Sequence, residues 1–313
     1  RGRAMSLFPA LVGLLVGLVR VIDFFRRYHP EVVVVTGGYA GAPAGIAAGL
    51  MGVPLVLQEQ NSVPGIVTKL LTKVATRVHV AYPEVVQRLP LSAGRCVVSG
   101  NPVRSRSGLG RNEARRAFGI PEHVTLAFVT GGSQGSSALN EVFTAYVAGV
   151  SRGDIKRPEK LHLLWSTGSG HFAGVLRSFG VRGVPRWVHA LPYIEDMPGA
   201  LVAADLAVSR AGAMTIAEFL NHGLPAVLVP LPTATENHQE HNARALEDAG
   251  AARVVPQREL SPSRLAEEIA SMAMDPLSLE QMGMRASERA YPRATQEIAD
   301  DVTTMLSPIR SAA

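Results

Sequence analysis

The stretch "ADLAVSRAGAMTIAEFLNHGLPAVLVP", Ala204 to Pro230, predicts a strand, a tight turn, a helix and a second strand. Apolar runs flank a helical segment that begins after Gly212, which is typical of a crossover unit in a parallel sheet. The segment opens on small residues and carries Thr215 in its first turn and Glu218 soon after. Because a helix start presents unpaired backbone N–H groups and the positive end of the helix dipole, this pattern predicts a bound anion.

The same alternation of strands and helices extends to both sides of this stretch. Its apolar runs are continuous and rich in Val and Leu, which is typical of strands buried on both faces of a parallel sheet. A polar, glycine-rich segment at 100–112 predicts a linker between two blocks. The chain is therefore predicted to be α/β, with two doubly wound domains. The predicted strands lie within 31–38, 53–61, 77–83, 95–100, 124–130, 160–166, 186–194, 204–209, 224–230 and 251–256.

The composition limits the class of protein. The chain has 313 residues, of which 47% are hydrophobic, enough for two domains that each have a core. The single Cys96 excludes an intrachain disulfide, and we expect it to be a small buried apolar residue. A net charge of +5 favours an anionic membrane or an anionic substrate. Nucleic acid is not expected, because aromatic residues are only 5% and no basic run is interleaved with them.

The N-terminal segment combines an apolar run from Leu7 to Val19 with Arg20, Arg26 and Arg27. The run is too short to span a bilayer, which takes about 20 residues. No small-residue cleavage site follows, so a signal peptide is not indicated. We predict that this segment is a helix. Two interpretations stay open: it is a buried helix of the first domain, or its apolar face inserts into the surface of an anionic membrane.

Three polar or glycine-rich segments follow predicted strands. They are "TGGYAGAPAG" at 36–45 with Tyr39, "QEQN" at 58–61, and "TGGSQG" at 130–135 with Ser133. Ligands of doubly wound sheets bind beyond the carboxyl ends of the strands, where these segments lie. The first is a weak signal alone, the second suits sugar hydroxyls, and the third offers donors for a phosphate. Each also has a purely structural interpretation as a loop or turn.

The quoted helix and the segment after it predict a nucleotide-sugar site. Glu218 lies about one turn beyond the helix start, where a carboxylate suits a ribose diol, although it also fits a solvated helix position. Gln239 and Asn242 share one helix face. His238 and His241 have the same spacing, but no carboxylate or thiol signature surrounds them, so no metal is predicted. The absence of an Asp-x-Asp pair and of a complete G-x-G-x-x-G fingerprint argues against a magnesium site and hydride transfer.

Together the motifs resemble those of the MurG family of bacterial UDP-N-acetylglucosamine transferases. They are "GGYAGAP", "QEQN", "GNPVR", "GGSQG", "SRAGAMTIAE" and "ENHQEHNA", in the family's order and over essentially the whole chain. The resemblance implies a GT-B fold, with two Rossmann-like domains that face a cleft. It implies an acceptor- and membrane-facing domain at 1–103, a UDP-sugar domain at 104–290, and a C-terminal helix at 291–313 that returns to the first domain.

The resemblance also implies the reaction and its setting. The family transfers GlcNAc from UDP-GlcNAc, with inversion and without a metal or cofactor. The acceptor is the 4-hydroxyl of undecaprenyl-pyrophosphoryl-MurNAc-pentapeptide, so lipid I becomes lipid II in peptidoglycan synthesis. The enzyme is peripheral, at the cytoplasmic face of the bacterial cell membrane. The apolar and basic first helix is similar to part of the family's membrane-docking surface, which favours the membrane interpretation.

Residue by residue, the resemblance assigns roles to ten positions. On the donor side it implies a diphosphate site that comprises Arg104, Ser133, Ala213, Met214 and Thr215. The backbone of Ile194 is implied to contact uracil, Glu218 the ribose and Gln239 the GlcNAc. Tyr39 and Asn61 are implied to face the acceptor side.

One part of the family pattern is not in this sequence. The family's first glycine-rich loop, G-G-T-G-G-H, carries the histidine assigned to the reacting centre, and it precedes the region that begins at Arg1. We expect the base to lie in that loop, the first domain to be incomplete, and this chain to bind the donor but transfer poorly or not at all. Two alternatives stay open: another GT-B enzyme on UDP-sugars, such as a glycolipid glycosyltransferase or an epimerase, or a non-catalytic donor-binding subunit.

Overall fold

The computed structural model describes residues 2–90 and 94–306, with side chains from Val12 onward. The side chains of 7–11 in the predicted apolar run, and residues 307–313 of the predicted C-terminal segment, lie outside the described part. The chain divides into two compact units. The first unit comprises residues 1–102 and 293–313, and the second unit comprises residues 103–292.

The first unit contains a four-stranded sheet in the order β1-β2-β3-β4, with every pair parallel. All five residues of β2 are buried, as the continuous apolar run predicts. The strand β1 departs from that prediction, because its central residue Val34 is 45% exposed. Among the described strands β1 is at the edge of the sheet, and one of its two side-chain faces is exposed. Numbered along the whole chain, the elements of this unit are α1 Gly2–Tyr28, β1 Val33–Val35, α2 Ala42–Met51, β2 Leu55–Glu59, α3 Ile66–Leu71, β3 Arg77–Val80, β4 Cys96–Val98 and α12 Ala294–Thr303.

Helix α1 forms as predicted and is amphipathic in its packing. Phe25 is buried, and Gly17 lies against Pro43 of α2, so one face of α1 packs against the rest of the first unit. Apolar side chains on the rest of the helix, including Leu15 and Val19, are exposed. Within the described residues, no helix has the length and hydropathy needed to cross a membrane.

The second unit contains a six-stranded parallel sheet in the order β10-β9-β8-β5-β6-β7. Its largest buried side chains, Trp165, Tyr146 and Phe143, pack between the sheet and α5. The elements of this unit are α4 Arg111–Ala117, β5 Thr125–Thr130, α5 Ser137–Arg152, β6 Leu161–Ser166, α6 Ser169–Ser178, β7 Val188–Leu191, α7 Met197–Ala203, β8 Leu206–Ser209, α8 Ala213–His222, β9 Ala226–Leu228, α9 His238–Asp248, β10 Ala252–Val254, α10 Pro262–Ala273 and α11 Pro276–Glu288.

The predicted linker at 100–112 ends earlier than expected, because α4 begins at Arg111. Its sequence, "RNEARRA", is rich in good helix formers and follows Gly110. Arg115 anchors this helix: it is buried, donates to the carbonyl oxygen of Ala203 and pairs with Asp205 at 2.6 Å between Nη2 and Oδ2. The helix is short and has few apolar residues, so it leaves no hydrophobic periodicity in the sequence from which it could be predicted.

Helix α12 is held to the sheet of the first unit by one carboxylate. Asp301 Oδ2 lies 2.9 Å from Arg77 Nε and 3.0 Å from His79 Nε2, both on β3. The other ring nitrogen of His79 contacts Ser99 Oγ at 3.1 Å. Burial lowers the pKa of His79, while Asp301 opposes that effect. A buried side chain therefore links two strands to a helix more than 200 positions away in the sequence.

Candidate functional site

The sheet order of the second unit creates a switch point between β5 and β8. From β5 the chain proceeds to β6 and β7 on one side, whereas β8, β9 and β10 lie on the other. Thr130 and Ser209, the last residues of β5 and β8, are direct neighbours in the register. The connections that follow these two strands diverge, and such a crevice is where doubly wound sheets bind ligands. The predicted motifs "GGSQG" and "SRAGAMTIAE" are these two connections.

The turn after β5 is shaped by glycines. Gly132 has φ of 87° and donates its N–H to Thr130 Oγ1 at 3.1 Å, and Gly135 donates to the carbonyl of Gly132 at 2.9 Å. A Cβ at Gly135, which has φ of 76°, would collide with the carbonyl oxygen of Thr167 after β6. These positions need glycine for backbone conformation and close approach. The turn leaves Ser133 exposed at its tip.

The start of α8 has the geometry of an anion site. Gly212 is the N-cap, and because glycine has no side chain, no side-chain group caps the first turn. Ala213, Met214 and Thr215 form that turn, and all three are at least partly exposed. The N–H groups of Met214 and Thr215 have no intrahelical acceptor, and the helix dipole adds about half a positive charge. This arrangement stabilises an anion placed at the mouth of the crevice.

Glu218 lies one turn further along α8 and is half-buried. Burial raises the pKa of its carboxyl group, and the charge of Arg104 opposes that effect. Arg104 is exposed, and its Nη1 donates to the carbonyl oxygen of Glu195 at 3.3 Å. Ile194, the predicted uracil contact, is the residue before Glu195, and its side chain is buried. Arg104 therefore lies near Glu218 and beside the residue that follows Ile194, three of the positions predicted for the donor.

Gln239 approaches the same edge from α9. Its Oε1 accepts hydrogen bonds from the backbone N–H groups of Ala211 at 3.1 Å and Leu231 at 3.0 Å. The side-chain oxygen is therefore committed to the protein, and the amide nitrogen is the group that can meet a sugar hydroxyl. The turn before α9 holds Glu236 and Asn237 at φ of 50° and 56°, a left-handed conformation that is uncommon for such residues.

Arg210 belongs to this site and was not identified from the sequence. It follows β8 directly and is 7% exposed. Its guanidinium donates to Ser136 Oγ at 3.1 Å and to Gln257 Oε1 at 2.6 Å, and burial lowers its pKa. A charged residue placed directly after a buried strand and two positions before Gly212 is the signal that could have revealed it.

The two residues predicted for the acceptor side both belong to the first unit. Tyr39 follows β1 and is exposed, and Asn61 follows β2 and is half-buried. Because β1 and β2 are parallel neighbours, both residues lie at the carboxyl edge of the same sheet. Gly37 and Gly38, with φ of 87° and 73°, turn the chain before Tyr39.

The structure does not place "QEQN" as an exposed row of sugar contacts, because its first two residues, Gln58 and Glu59, end β2 and are buried. The buried Glu59 carboxylate accepts hydrogen bonds from the N–H and amide groups of Asn61, from the N–H of Gly65 and from Thr68 Oγ1. Gln58 is buried and donates to Asn101 Oδ1 at 3.1 Å. Two of the four polar side chains therefore point inward, because they satisfy backbone and side-chain groups of neighbouring loops.

No three His, Cys, Asp or Glu side chains within 2–90 and 94–306 are placed to hold a metal ion. A cavity of about 940 Å³ lies at the C-terminal end of α8. Its lining includes His222 and both basic and acidic residues, among them Arg106 and Glu288. None of the ten predicted site residues lines it. The cavity is therefore separate from the residues predicted for the site.

The sequence matches two family models. Residues 2–80 match the glycosyltransferase family 28 N-terminal domain, and residues 126–298 match the glycosyltransferase family 28 C-terminal domain. A protein of Acetivibrio thermocellus named UDP-N-acetylglucosamine--N-acetylmuramyl-(pentapeptide) pyrophosphoryl-undecaprenol N-acetylglucosamine transferase is 34% identical over 310 residues, which is 98% of this chain and 81% of that protein. A protein of the same name from Chlorobium luteolum is 38% identical, over 96% of this chain and 80% of its own length. The chain belongs to the MurG family.

The solved structures agree with the MurG assignment. The crystal structure of MurG from Acinetobacter baumannii has a TM-score of 0.73 and 28% identity, and the match covers 94% of this chain and 80% of that one. A putative UDP-N-acetylglucosamine 2-epimerase from Listeria monocytogenes, at a TM-score of 0.68 and 14% identity, shares the fold. The predicted GT-B class, with two parallel-sheet α/β domains, is confirmed.

Proposed function

We propose that this chain transfers GlcNAc from UDP-GlcNAc to the 4-hydroxyl of lipid-linked N-acetylmuramyl-pentapeptide, the step from lipid I to lipid II. The observation that carries the proposal is the identity of 34–38%, over nearly the whole chain, to proteins named for this transfer. The switch point of the second unit, with its glycine turn and uncapped helix start, supports a nucleotide-sugar donor.

In this proposal the donor binds along the crevice of the second unit. The backbone of Ile194 meets the uracil, and Glu218 accepts hydrogen bonds from the ribose diol. The diphosphate lies at the start of α8, near the N–H groups of Met214 and Thr215. The exposed Ser133 at the turn after β5 and the guanidinium of Arg104 flank it. Ala213 forms the same first turn, and the amide nitrogen of Gln239 meets a GlcNAc hydroxyl.

The chemical step is an inverting displacement at C1 of the donor sugar. The bond between C1 and the diphosphate oxygen breaks and its electron pair leaves with UDP, a bond from C1 to the acceptor 4-oxygen forms, and the hydroxyl proton of the acceptor passes to solvent. Negative charge grows on the departing UDP. Preorganised donors at such a position contribute about 3–4 kcal/mol each to transition-state stabilisation. On this chain those donors are Arg104, the N–H group of Ser133 and the first turn of α8, because the N–H of Gly132 is used by Thr130 Oγ1.

The acceptor is assigned to the first unit. Tyr39 and Asn61 share the carboxyl edge of its sheet, and Glu59 holds the loop of Asn61 in place through four hydrogen bonds. A phenol and an amide provide both donors and acceptors, which a sugar or peptide needs.

We also propose that the chain binds the anionic face of the cytoplasmic membrane as a peripheral protein. The support is the apolar surface of α1, with Leu15 and Val19 more than half exposed, beside the exposed Arg20, Arg26 and Arg27. Apolar area combined with basic residues is the composition that binds anionic bilayers without spanning them. A helix that carries the lipid-facing surface would bring the acceptor's headgroup to the first unit.

The transfer is tested with purified chain, UDP-GlcNAc and a soluble lipid I analogue, followed by mass analysis of the product. Formation of the disaccharide supports the proposal and would contradict the expectation that transfer needs the G-G-T-G-G-H loop. A product formed only with diacylglycerol, or an epimerised UDP-sugar, would assign the chain to another GT-B activity. Donor binding measured by calorimetry on the same sample separates a donor-binding chain without turnover from one that does not bind the donor.

The membrane proposal is tested by co-flotation with vesicles of phosphatidylglycerol or phosphatidylcholine. Binding to the anionic vesicles that falls at high salt is expected. Changing Leu15 and Val19 to Ser is expected to weaken that binding at any salt concentration. A matched change at Val181, which is exposed on the second unit, is expected to leave it unchanged. Equal binding of the Leu15/Val19 variant would exclude α1 as the contact.

A further inference from the structure

The cavity at the C-terminal end of α8 lies at the opposite edge of the sheet from the candidate donor site. Its lining includes Asp205, which precedes β8, and Leu224 with Pro225, which precede β9. The remaining lining residues come from α7, α8, α11 and the segment around the start of α4, and all of them belong to the second unit. A volume of about 940 Å³ is within the range of small-ligand sites.

Two of the helices that line the cavity are held together by a close contact. A Cβ placed on Gly283 of α11 would lie 2.7 Å from the carbonyl oxygen of Gly223, the residue that ends α8. The backbones therefore meet there with no side chain between them, which only glycine permits at α11. This contact fixes the relative position of the two helices without a ligand.

His222, the last residue of α8, contributes an unused acceptor to the lining. Its Nδ1 lies 2.8 Å from the carbonyl oxygen of Glu218, and because that oxygen can only accept, Nδ1 carries the proton. Nε2 is buried and has no hydrogen-bond partner among the described residues. Burial lowers the pKa of His222, the bond to Glu218 opposes that effect, and the charge of Arg106 adds to it. The ring is therefore neutral near pH 7, with a lone pair on Nε2.

The lining also carries charges of both signs that do not neutralise one another. Arg111 and Asp205 form an ion pair, so their charges are satisfied within the protein. Arg106, Glu280 and Glu288 are exposed, and none of them has an ion-pair partner within 2–90 and 94–306. The guanidinium of Arg106 is therefore held apart from both carboxylates, although all three residues line one cavity.

Apolar side chains form much of the remaining lining. Leu224 is buried, and Met284 of α11 is 55% exposed. An alkyl chain gains from contact with such a surface. A ligand with one sign of charge is attracted by some of the unpaired groups and repelled by the others. A ligand with a charge of each sign at the ends of an alkyl chain is attracted by both kinds.

We propose that this cavity binds an amphoteric ligand, in which a carboxylate and an ammonium group are separated by a short alkyl chain. The carboxylate pairs with Arg106, and the ammonium group pairs with Glu280 and Glu288. A donor of the ligand also satisfies Nε2 of His222. This chemistry occurs in a free amino acid with a basic side chain and in a peptide segment with an acidic and a basic residue. The proposal is independent of the proposed function, because none of the residues assigned to UDP-GlcNAc or the acceptor lines the cavity.

Three probes of similar length test the proposal on the wild-type chain. They are 6-aminohexanoate, which has both charges, and hexanoate and hexylamine, which have one charge each. Binding is followed by NMR of isotope-labelled methionine methyl groups, because Met284 lines the cavity and the exposed Met274 does not. We expect a saturable shift of Met284 with 6-aminohexanoate. Its affinity is expected to exceed that of either other probe by roughly two- to fivefold, as for one more exposed ion pair.

Charge variants identify the pairs. In Arg106→Gln, 6-aminohexanoate is expected to bind no more tightly than hexylamine, because its carboxylate has lost its partner. With Glu280→Gln and Glu288→Gln combined, it is expected to bind no more tightly than hexanoate. Glu267→Gln and Arg177→Gln are the matched controls, since both residues are exposed and lie outside the lining. Both controls are expected to keep the wild-type preference for 6-aminohexanoate.

Two further probes distinguish the sources of the ligand. Tighter binding of free lysine than of the blocked tripeptide acetyl-Glu-Leu-Lys-amide indicates a free amino acid, and the reverse order indicates a peptide segment. Equal affinities of the three wild-type probes, or tighter binding of a probe with one charge, would overturn the proposal. So would a shift of Met284 no larger than that of Met274. Because these comparisons use the wild-type chain, they decide the proposal even if a variant does not fold.

Discussion

At the scale of single residues, Glu218 is subject to two opposing requirements. A ribose contact needs an accepting carboxylate, whereas the half-buried position on α8 disfavours the charge and raises the pKa of the group. The folded chain therefore holds this proton more tightly than the unfolded chain does. The contribution of Glu218 to the free energy of unfolding is greatest below its unfolded pKa and is lost as the pH rises through its folded pKa.

Changing Glu218 to Gln is expected to separate stability from binding. At neutral pH the variant loses a desolvated charge, so its Tm is expected to rise or stay level. UDP affinity is expected to fall about tenfold, because a hydrogen bond to a charged acceptor becomes a neutral one. Wild-type affinity is expected to drop as the pH falls through the raised pKa, and the Gln variant is expected to lack that dependence. Calorimetry and thermal unfolding at several pH values test this, and a destabilised variant with wild-type affinity would contradict the ribose assignment.

Tyr146 offers a second test at the residue scale, away from the site. Its hydroxyl is buried without a hydrogen-bond partner among the described residues, and burial raises its pKa to about 12. Changing it to Phe is expected to raise the free energy of unfolding by about 1 kcal/mol, because an unsatisfied polar group is removed. Tyr146→Leu is the control and is expected to be destabilising, since it loses ring contacts with Phe143 and Trp187. A loss of stability in the Phe variant would indicate a water-mediated partner.

At the scale of elements, α12 depends on a polar anchor more than on apolar area. Of its residues only Ala294 is buried. The carboxylate of Asp301 contacts both Arg77 and His79 of β3, and His79 in turn contacts Ser99 after β4. The anchor is partly buried, so its hydrogen bonds are less exposed to competition from water than those of a surface pair.

Changing Asp301 to Asn is expected to loosen α12. The variant keeps the size of the side chain but loses its charge, so Arg77 and His79 lose the anion that they share. We expect a loss of about 1–3 kcal/mol in the free energy of unfolding, with faster hydrogen exchange in 294–303. Asp300→Asn, a neighbour on the same helix, is the control and is expected to be nearly neutral. Unchanged exchange in both variants would show that other contacts hold the helix.

At the scale of the whole molecule, the two units are assigned different ligands. The UDP moiety is assigned to the second unit, whereas the acceptor is assigned to the first. A ligand that binds only the folded state stabilises the part that contains its site by mass action, by about 2.7 kcal/mol at a concentration of 100 Kd. The segments that a ligand protects from hydrogen exchange therefore identify the unit that binds it.

UDP is expected to slow hydrogen exchange in 131–136, 210–216 and 231–242 of the second unit. Exchange in the first-unit strands β1 and β2 is expected to stay unchanged. Uridine at equal saturation is expected to protect the segment at 192–195 but to protect 131–136 less, because it lacks the diphosphate. Protection by UDP confined to the first unit would contradict the assignment of the donor. Mass spectrometry of peptides from both units provides the measurement.

Much of the architecture was predictable because its causes are local. Continuous apolar runs predicted the buried strands, and the helical segments between them predicted the parallel connections. The positive φ values of Gly37, Gly132 and Gly135 explain why glycine-rich segments follow the strands. Gly212, the N-cap of α8, has extended backbone and no positive φ, so the anion site predicted there rests on the helix start and not on the conformation of this glycine. The edge position of β1 and the short helix α4 were not predictable, because neither leaves a distinct periodicity.

By itself the sequence determined most of the secondary structure, the parallel class of both sheets and, through its motifs, the family. Only the tertiary structure decided which polar side chains face a ligand and which face the protein. Glu59 turns inward to the loop of Asn61, Gln239 commits its oxygen to two backbone groups, and Arg210 gathers acceptors from residues 19 to 74 positions away. The physical reason is that a periodicity reports the face of one element, whereas the partners of Arg210 meet only because the strand order brings β5, β9 and β10 around β8.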